Sequence, residues 1–146
     1  SAKDAVIYNT TERKTDRKQR NLEENTMKTI ELFEQAATKG NEFFRENNLN
    51  TTLYWAYRKS KQNGNEFIDF QEVIWDEDIE PIANFLKAEG INKFTISSTF
   101  SGLIATLAAF EKQGFHMNGL TKVTADYTDF ATGKPKIIPA ILMKLN

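Results

Sequence analysis

The run Ser97-Ser98-Thr99-Phe100-Ser101-Gly102 holds the densest set of groups suited to binding chemistry. It follows the alternating segment Lys93-Phe94-Thr95-Ile96 and precedes the apolar stripe Leu103, Ile104, Leu107, Ala108 and Phe110, so it reads as a turn from a strand into a helix. In open α/β sheets, ligands sit at such turns, beyond the carboxyl ends of strands. The hydroxyls of Ser97, Ser98, Thr99 and Ser101, with the backbone amides up to Gly102, suit a phosphate or carboxylate, because helix N-termini attract anions. The run lacks the glycine spacing and lysine of a phosphate loop, and it is no dinucleotide fingerprint. No Gly-x-Ser-x-Gly nucleophile elbow occurs either. A plainer role competes, with Ser98 or Thr99 simply capping the helix.

The second candidate is Tyr54-Trp55-Ala56-Tyr57-Arg58-Lys59. On a helix Tyr54 and Arg58 share a face, as do Trp55 and Lys59. Exposed, Tyr54, Trp55, Arg58 and Lys59 would form a partner-binding surface, since Trp, Tyr and Arg dominate interface energetics. The alternative buries Trp55 and lays the stems of Arg58 and Lys59 along the core. The two readings are nearly balanced, with a tilt toward burial.

Charge supplies a third candidate. Residues 1–20 carry +3, leaving −4 for the rest of a chain whose net charge is −1. Arg13, Lys14, Arg17, Lys18 and Arg20 cluster there without an apolar anchor. Such an arm can touch nucleic acid phosphates, together with Arg58, Lys59 and Lys61. The favoured reading is plainer, a solvated lead-in to the first helix. Aromatics are not interleaved with these bases, so a stacking platform for single strands is unsupported.

The remaining polar groups point to structure. His116 is the one histidine in the chain, too few for a multi-histidine metal site. It can act as an acid or base with Asp126 or Asp129, or rest at a helix C-terminus where the dipole favours it. Asp76, Glu77, Asp78 and Glu80 lack calcium-loop spacing and suit the start of a helix. No catalytic set, metal site or cofactor motif is expected.

These groups must be held by a single core. A chain of 146 residues with 40% apolar and 12% aromatic residues is long enough to bury one and lies outside the disordered range. No apolar stretch approaches the roughly 20 residues of a membrane span, and no early charged-then-apolar leader stands out. The absence of cysteine excludes a disulfide framework, thiolate metal sites and a cysteine nucleophile. A soluble, cytoplasmic protein without a membrane partner is the expectation.

Periodicity orders the elements. A flexible basic arm covers 1–20, and one α/β domain covers 21–146, divided into a helical segment (21–63) and a sheet-containing core (66–146). Met27, Ile30, Phe33, Ala37, Gly40 and Phe44 recur at helical spacing over about 21–47, with Gly40 able to bend or interrupt the helix. Thr51 or Thr52 caps a second helix running to about Gln62. The short apolar spot Val6-Ile7-Tyr8 can pack as a strand or a staple. From Phe67 onward the blocks read β-α-β-α-β-β. The first strand runs from Phe67 to Trp75, Pro81 lies near the start of the next helix, and Gly90 closes it. The last two strands cover 120–127 and 136–145. Pro139 places the final strand at an edge or a bulge. The sum is a mixed sheet of about four strands with N-terminal helices packed on it.

One resemblance is carried by Lys93 to Ser97 and by Phe110-Glu111-Lys112-Gln113-Gly114-Phe115. This stretch resembles the later part of GCN5-related N-acetyltransferases, in which a strand leads to a helix ending in a YEKLGF-like phrase and then to the last strands. The resemblance covers about 67–145 and implies an acyl-CoA ligand. Between Trp75 and Phe85, however, Asp76-Glu77-Asp78 replaces the family's Arg/Gln-x-x-Gly-x-Gly/Ala pyrophosphate loop, which implies a degenerate relative. In overall texture the chain also resembles small proteins of low-GC Gram-positive bacteria and their mobile elements.

The leading expectation is a non-enzymatic interaction or regulatory module with a protein partner. An acyl-CoA or other anionic-ligand protein comes second, and a nucleic-acid-binding accessory protein third.

Overall fold

The computed structural model describes residues 30–146. The basic cluster Arg13 to Arg20 and the spot Val6-Ile7-Tyr8 lie outside the described residues. Helix α1 (Glu31–Lys39) and helix α2 (Asn41–Glu46) divide what periodicity joined. The break is Gly40, whose φ of 83° and ψ of −164° suit glycine and few other residues. The buried stripe of α1 accordingly runs Ile30, Phe33, Ala36, and Ala37 faces solvent. Phe33 stacks on Phe85 with ring centroids 5.0 Å apart and meets the edge of Tyr54 at 5.6 Å.

Helix α3 (Thr51–Gln62) has the expected span, but its cap is Asn50 rather than Thr51 or Thr52. The Asn50 side-chain oxygen accepts the Leu53 amide at 2.9 Å, and asparagine outranks threonine as a cap. Strand β1 is only Asp69–Phe70, much shorter than the run from Phe67 to Trp75. The chain leaves the sheet there because the Phe70 carbonyl takes the amides of both Ser97 and Ser98, at 3.0 and 3.1 Å.

Helix α4 (Asp76–Ala88) carries Pro81 well inside rather than in its first turn. It closes at Gly90, which adopts φ 72°. There the Ile91 amide donates to Leu86 at 2.8 Å and the Gly90 amide to Lys87 at 3.1 Å, a Schellman closure. Strand β2 (Lys93–Ile96) leads through the 97–102 turn to helix α5 (Leu103–Lys112). The N-cap of α5 is Gly102, without a side-chain cap, so neither Ser98 nor Thr99 caps it. Strands β3 (Phe115–Thr128) and β4 (Pro135–Leu145) form a hairpin longer than its pattern implied.

The protein is thus mixed α/β with N-terminal helices and a four-stranded sheet of order β1-β2-β4-β3. β1 and β2 are parallel; the other pairs are antiparallel. The final strand is interior, not an edge, but β2 reaches only as far as Ile141. Residues 135–140 of β4 therefore pair with β3 alone. Pro139 sits in that stretch, opposite Lys122. The amide and carbonyl of Thr124 turn away from β4, toward the Asn65 side chain. Alternation along the ladder then turns the nitrogen of Pro139 outward too, where a missing donor leaves no bond unmade. Among the described residues, no helix is long and apolar enough to cross a membrane.

A cleft between two tryptophans

Helices α3 and α4 start side by side because one carboxylate holds both. Asp78 accepts the Asn50 amide group at 2.9 Å and the Thr52 hydroxyl at 2.8 Å. It also accepts the Trp75 backbone amide, at 3.3 Å. That tie brings Trp55 of α3 and Trp75, the residue before α4, to the same cleft. The cleft encloses ≈ 200 Å³, with Ala56 and Val73 among its apolar walls and Asp69, Lys59 and Glu72 among its polar ones. Trp55 is 57% exposed and Trp75 60% exposed. These two are the only tryptophans of the chain. On its far side Trp55 borders a shallower groove lined by Gly40, Phe44, Arg45 and Tyr54.

At the floor lies a buried polar cluster. Asp69 is 2% exposed, and its two carboxylate oxygens accept the Thr95 and Ser97 hydroxyls, each at 2.6 Å. The Ser60 hydroxyl accepts the Asp69 amide at 2.8 Å, joining α3 to β1. Burial raises the Asp69 carboxyl above its ordinary pKa, and the hydrogen bonds from Ser97, Thr95 and Gln71 only partly oppose this.

The sequence-selected residues have divergent fates. Tyr54 is buried, its ring edge-on to Phe33, Phe44 and Trp55. Trp55 is exposed, against the tilt of its sequence context. Arg58 lies 3.8 Å from Glu34. Lys59 reaches Glu72 at 2.5 Å and Asp126 at 3.6 Å, and its ammonium is held above its usual pKa chiefly by the Glu72 hydrogen bond. Lys61 also pairs with Glu34, at 2.7 Å. The cations of α3 are therefore each matched by a carboxylate.

In the 97–102 turn, the Ser97 hydroxyl is taken by Asp69, and Ser98 donates to the Glu72 carbonyl at 2.9 Å. Both serine amides bond Phe70. Thr99 and Ser101 are exposed and Gly102 is half-buried. His116 is the second residue of β3 and lies 3.1 Å from Glu111, rather than beside Asp126 or Asp129. Among the described residues, no three His, Asp or Glu side chains converge as a metal site.

Sequence reasoning missed Trp75, Asp69 and Asp78. The strand expected from Phe67 to Trp75 takes in both Asp69 and Trp75 without giving either a place in a site. Only the Asp76-Glu77-Asp78 run carried a usable signal, since its third residue can reach back to bond the chain before the helix.

Fold and cleft together define a mixed α/β domain whose surface presents an aromatic-walled recess and whose polar floor is bonded internally. The model of a family described as a domain of unknown function (DUF7698) matches residues 52–145, more than half of the chain, and the protein belongs to that family. The matched stretch includes every residue lining the cleft except Thr51. No curated protein and no solved structure matches the chain.

Proposed function

We propose that the domain is a non-enzymatic interaction module that receives a protein partner in the Trp55–Trp75 cleft. The observation carrying this reading is the exposure of both indoles on one recess. Covering apolar surface is worth about 25 cal/mol per Å², and tryptophans in such recesses are frequent interface hot spots. The polar groups of the floor are engaged with one another, which suits a rigid docking surface better than a reacting centre. The lack of cysteine and the overall texture of the sequence accord with a cytoplasmic protein of Gram-positive bacteria or their mobile elements.

The test uses Trp55→Ala and Trp75→Ala in the full chain. Both should unfold cooperatively, near the parent's Tm, yet fail to capture the partner retained by the parent in extracts of the native host. Capture undiminished by either substitution sinks the reading. Loss of the fold in both would mean that the indoles are structural.

A second reading, a degenerate acetyltransferase-like protein binding acyl-CoA, draws support from the element order β-α-β-α-β-β of residues 69–145. It predicts a thermal shift with acetyl-CoA that Ser98→Glu removes, because a ligand binding only the native state raises its stability. A flat response discards it. Nucleic-acid binding has less support, since Arg58, Lys59 and Lys61 are already paired with Glu34, Glu72 and Asp126.

A further inference from the structure

The charge around the cleft is one-sided. Lys59 is the one cation among the lining residues, and Glu72 and Asp126 already flank its ammonium. Against it stand Glu72 and Asp69 in the lining. Asp76 and Glu77 follow Trp75 directly and are exposed, and Asp78 lies behind Thr52. The positive end of the α4 dipole amounts to about half a charge, and the acidic first turn answers it. An excess of negative charge remains beside two exposed indoles, whose faces attract cations. The cleft, at ≈ 200 Å³, is also smaller than the roughly 300–1,000 Å³ of cofactor and small-molecule pockets. That size suits one side chain.

We infer that the Trp55–Trp75 cleft takes a cationic side chain, the lysine or arginine of a basic peptide segment. The inference rests on the interaction-module reading and adds the chemistry of the partner. An ammonium or guanidinium would lie against the indoles with Glu72, Asp76 and Glu77 around it. A polyphosphate or acidic peptide would meet those same carboxylates and be repelled.

Both tryptophans flank the cleft, so intrinsic tryptophan fluorescence reports on it; Trp75, which does not line the groove on the far side of Trp55, separates the two places when Trp55→Ala is titrated. The full chain is titrated with hexa-arginine, hexa-glutamate, hexa-asparagine and acetyl-CoA. Hexa-arginine should change the emission saturably, and its affinity should fall steeply with added salt. Glu77→Gln, outside the Asp78 and Asp69 networks, should weaken it at least twofold, and Glu72→Gln at least threefold. Polarisation of labelled hexa-arginine should show the affinity lost in Trp55→Ala and Trp75→Ala.

Several results would overturn the inference. An emission change with hexa-glutamate or acetyl-CoA as large as that with hexa-arginine overturns it, and so does binding that survives in both tryptophan variants. If the tryptophans are needed to capture the host partner while hexa-arginine leaves the emission unchanged, the module reading stands and the cationic specificity falls. If hexa-arginine binds only once Arg13, Lys14, Arg17, Lys18 and Arg20 are all replaced by glutamine, the occupant is the chain's own arm and the external peptide is ruled out.

Discussion

The two faces of the sheet are built on opposite principles. Phe94 and Thr95 are neighbours on β2 and point to opposite sides. On the Phe94 side, Phe70, Phe110 and Phe115 surround its ring at centroid distances of 5.5, 4.9 and 5.1 Å, and all four rings are buried. On the Thr95 side, a hydroxyl, a carboxylate and a second hydroxyl are bonded in a chain beneath a recess open to water. One side supplies cohesion without specificity. The other gives up some cohesion to hold two indoles and several charges in fixed places, as the proposed docking role calls for.

The difference predicts a graded series of effects. Phe94→Ala removes the ring at the centre of the dry side and should cost about 3–5 kcal/mol, read as a lower urea midpoint with an unchanged m-value. A loss below 1 kcal/mol would mean that the aromatic cluster is not the main source of cohesion. Asp78→Ala strands the Asn50 and Thr52 donors and unties the starts of α3 and α4. Its expected cost is about 2 kcal/mol, with a shift in tryptophan emission as the two indoles lose their common frame. Full stability with unaltered emission would refute that role.

Asp69→Asn acts through pH. Burial raises the folded-state carboxyl above its ordinary 3.8, so the native state holds this proton more tightly than the unfolded chain. The stabilisation is full below 3.8 and is lost as pH rises through the folded value. The asparagine variant should lack this decline, measured by urea unfolding at a series of pH values from below 3.8 upward. Parallel profiles for the two proteins would exclude Asp69 as its source. The smallest effect belongs to Trp55→Ala, which should change stability by about 0.5 kcal/mol, since the indole is largely exposed and meets the Tyr54 ring edge-on at 5.2 Å.

The same contrast marks what could be read from the sequence. Much of the dry side was legible: Phe94 and Phe110 fall at strand and helix periods, and the β-α-β-α-β-β order came from the blocks that hold them, whereas Phe115 precedes the strand expected from Leu120. The recess was not. Its parts come from α3, β1 and the residue before α4, and no local period records that Asp78 gathers them. Periodicity also could not tell Trp55 from Tyr54. Both belong to one helix, and which ring is buried depends on the placement of Phe33 and Phe44 on α1 and α2. Likewise β1 shrank to two residues because Ser97 and Ser98 compete for the Phe70 carbonyl, a contact between segments 27 or more positions apart. Gly40 was recognised as an interruption, but its φ decides that α1 ends there.

The far half of the hairpin bears on how this domain can meet another sheet. On the outer margin of β3, Asn65 holds both the amide and the carbonyl of Thr124, and Gln71 accepts the Asp126 amide at 3.0 Å. On the open margin of β4, Pro139 presents no donor. At the other end of the sheet, β1 is two residues long. These stretches are thus poor templates for strand addition. Along them a second sheet finds few backbone groups to pair with, and edge-to-edge polymerisation is disfavoured there.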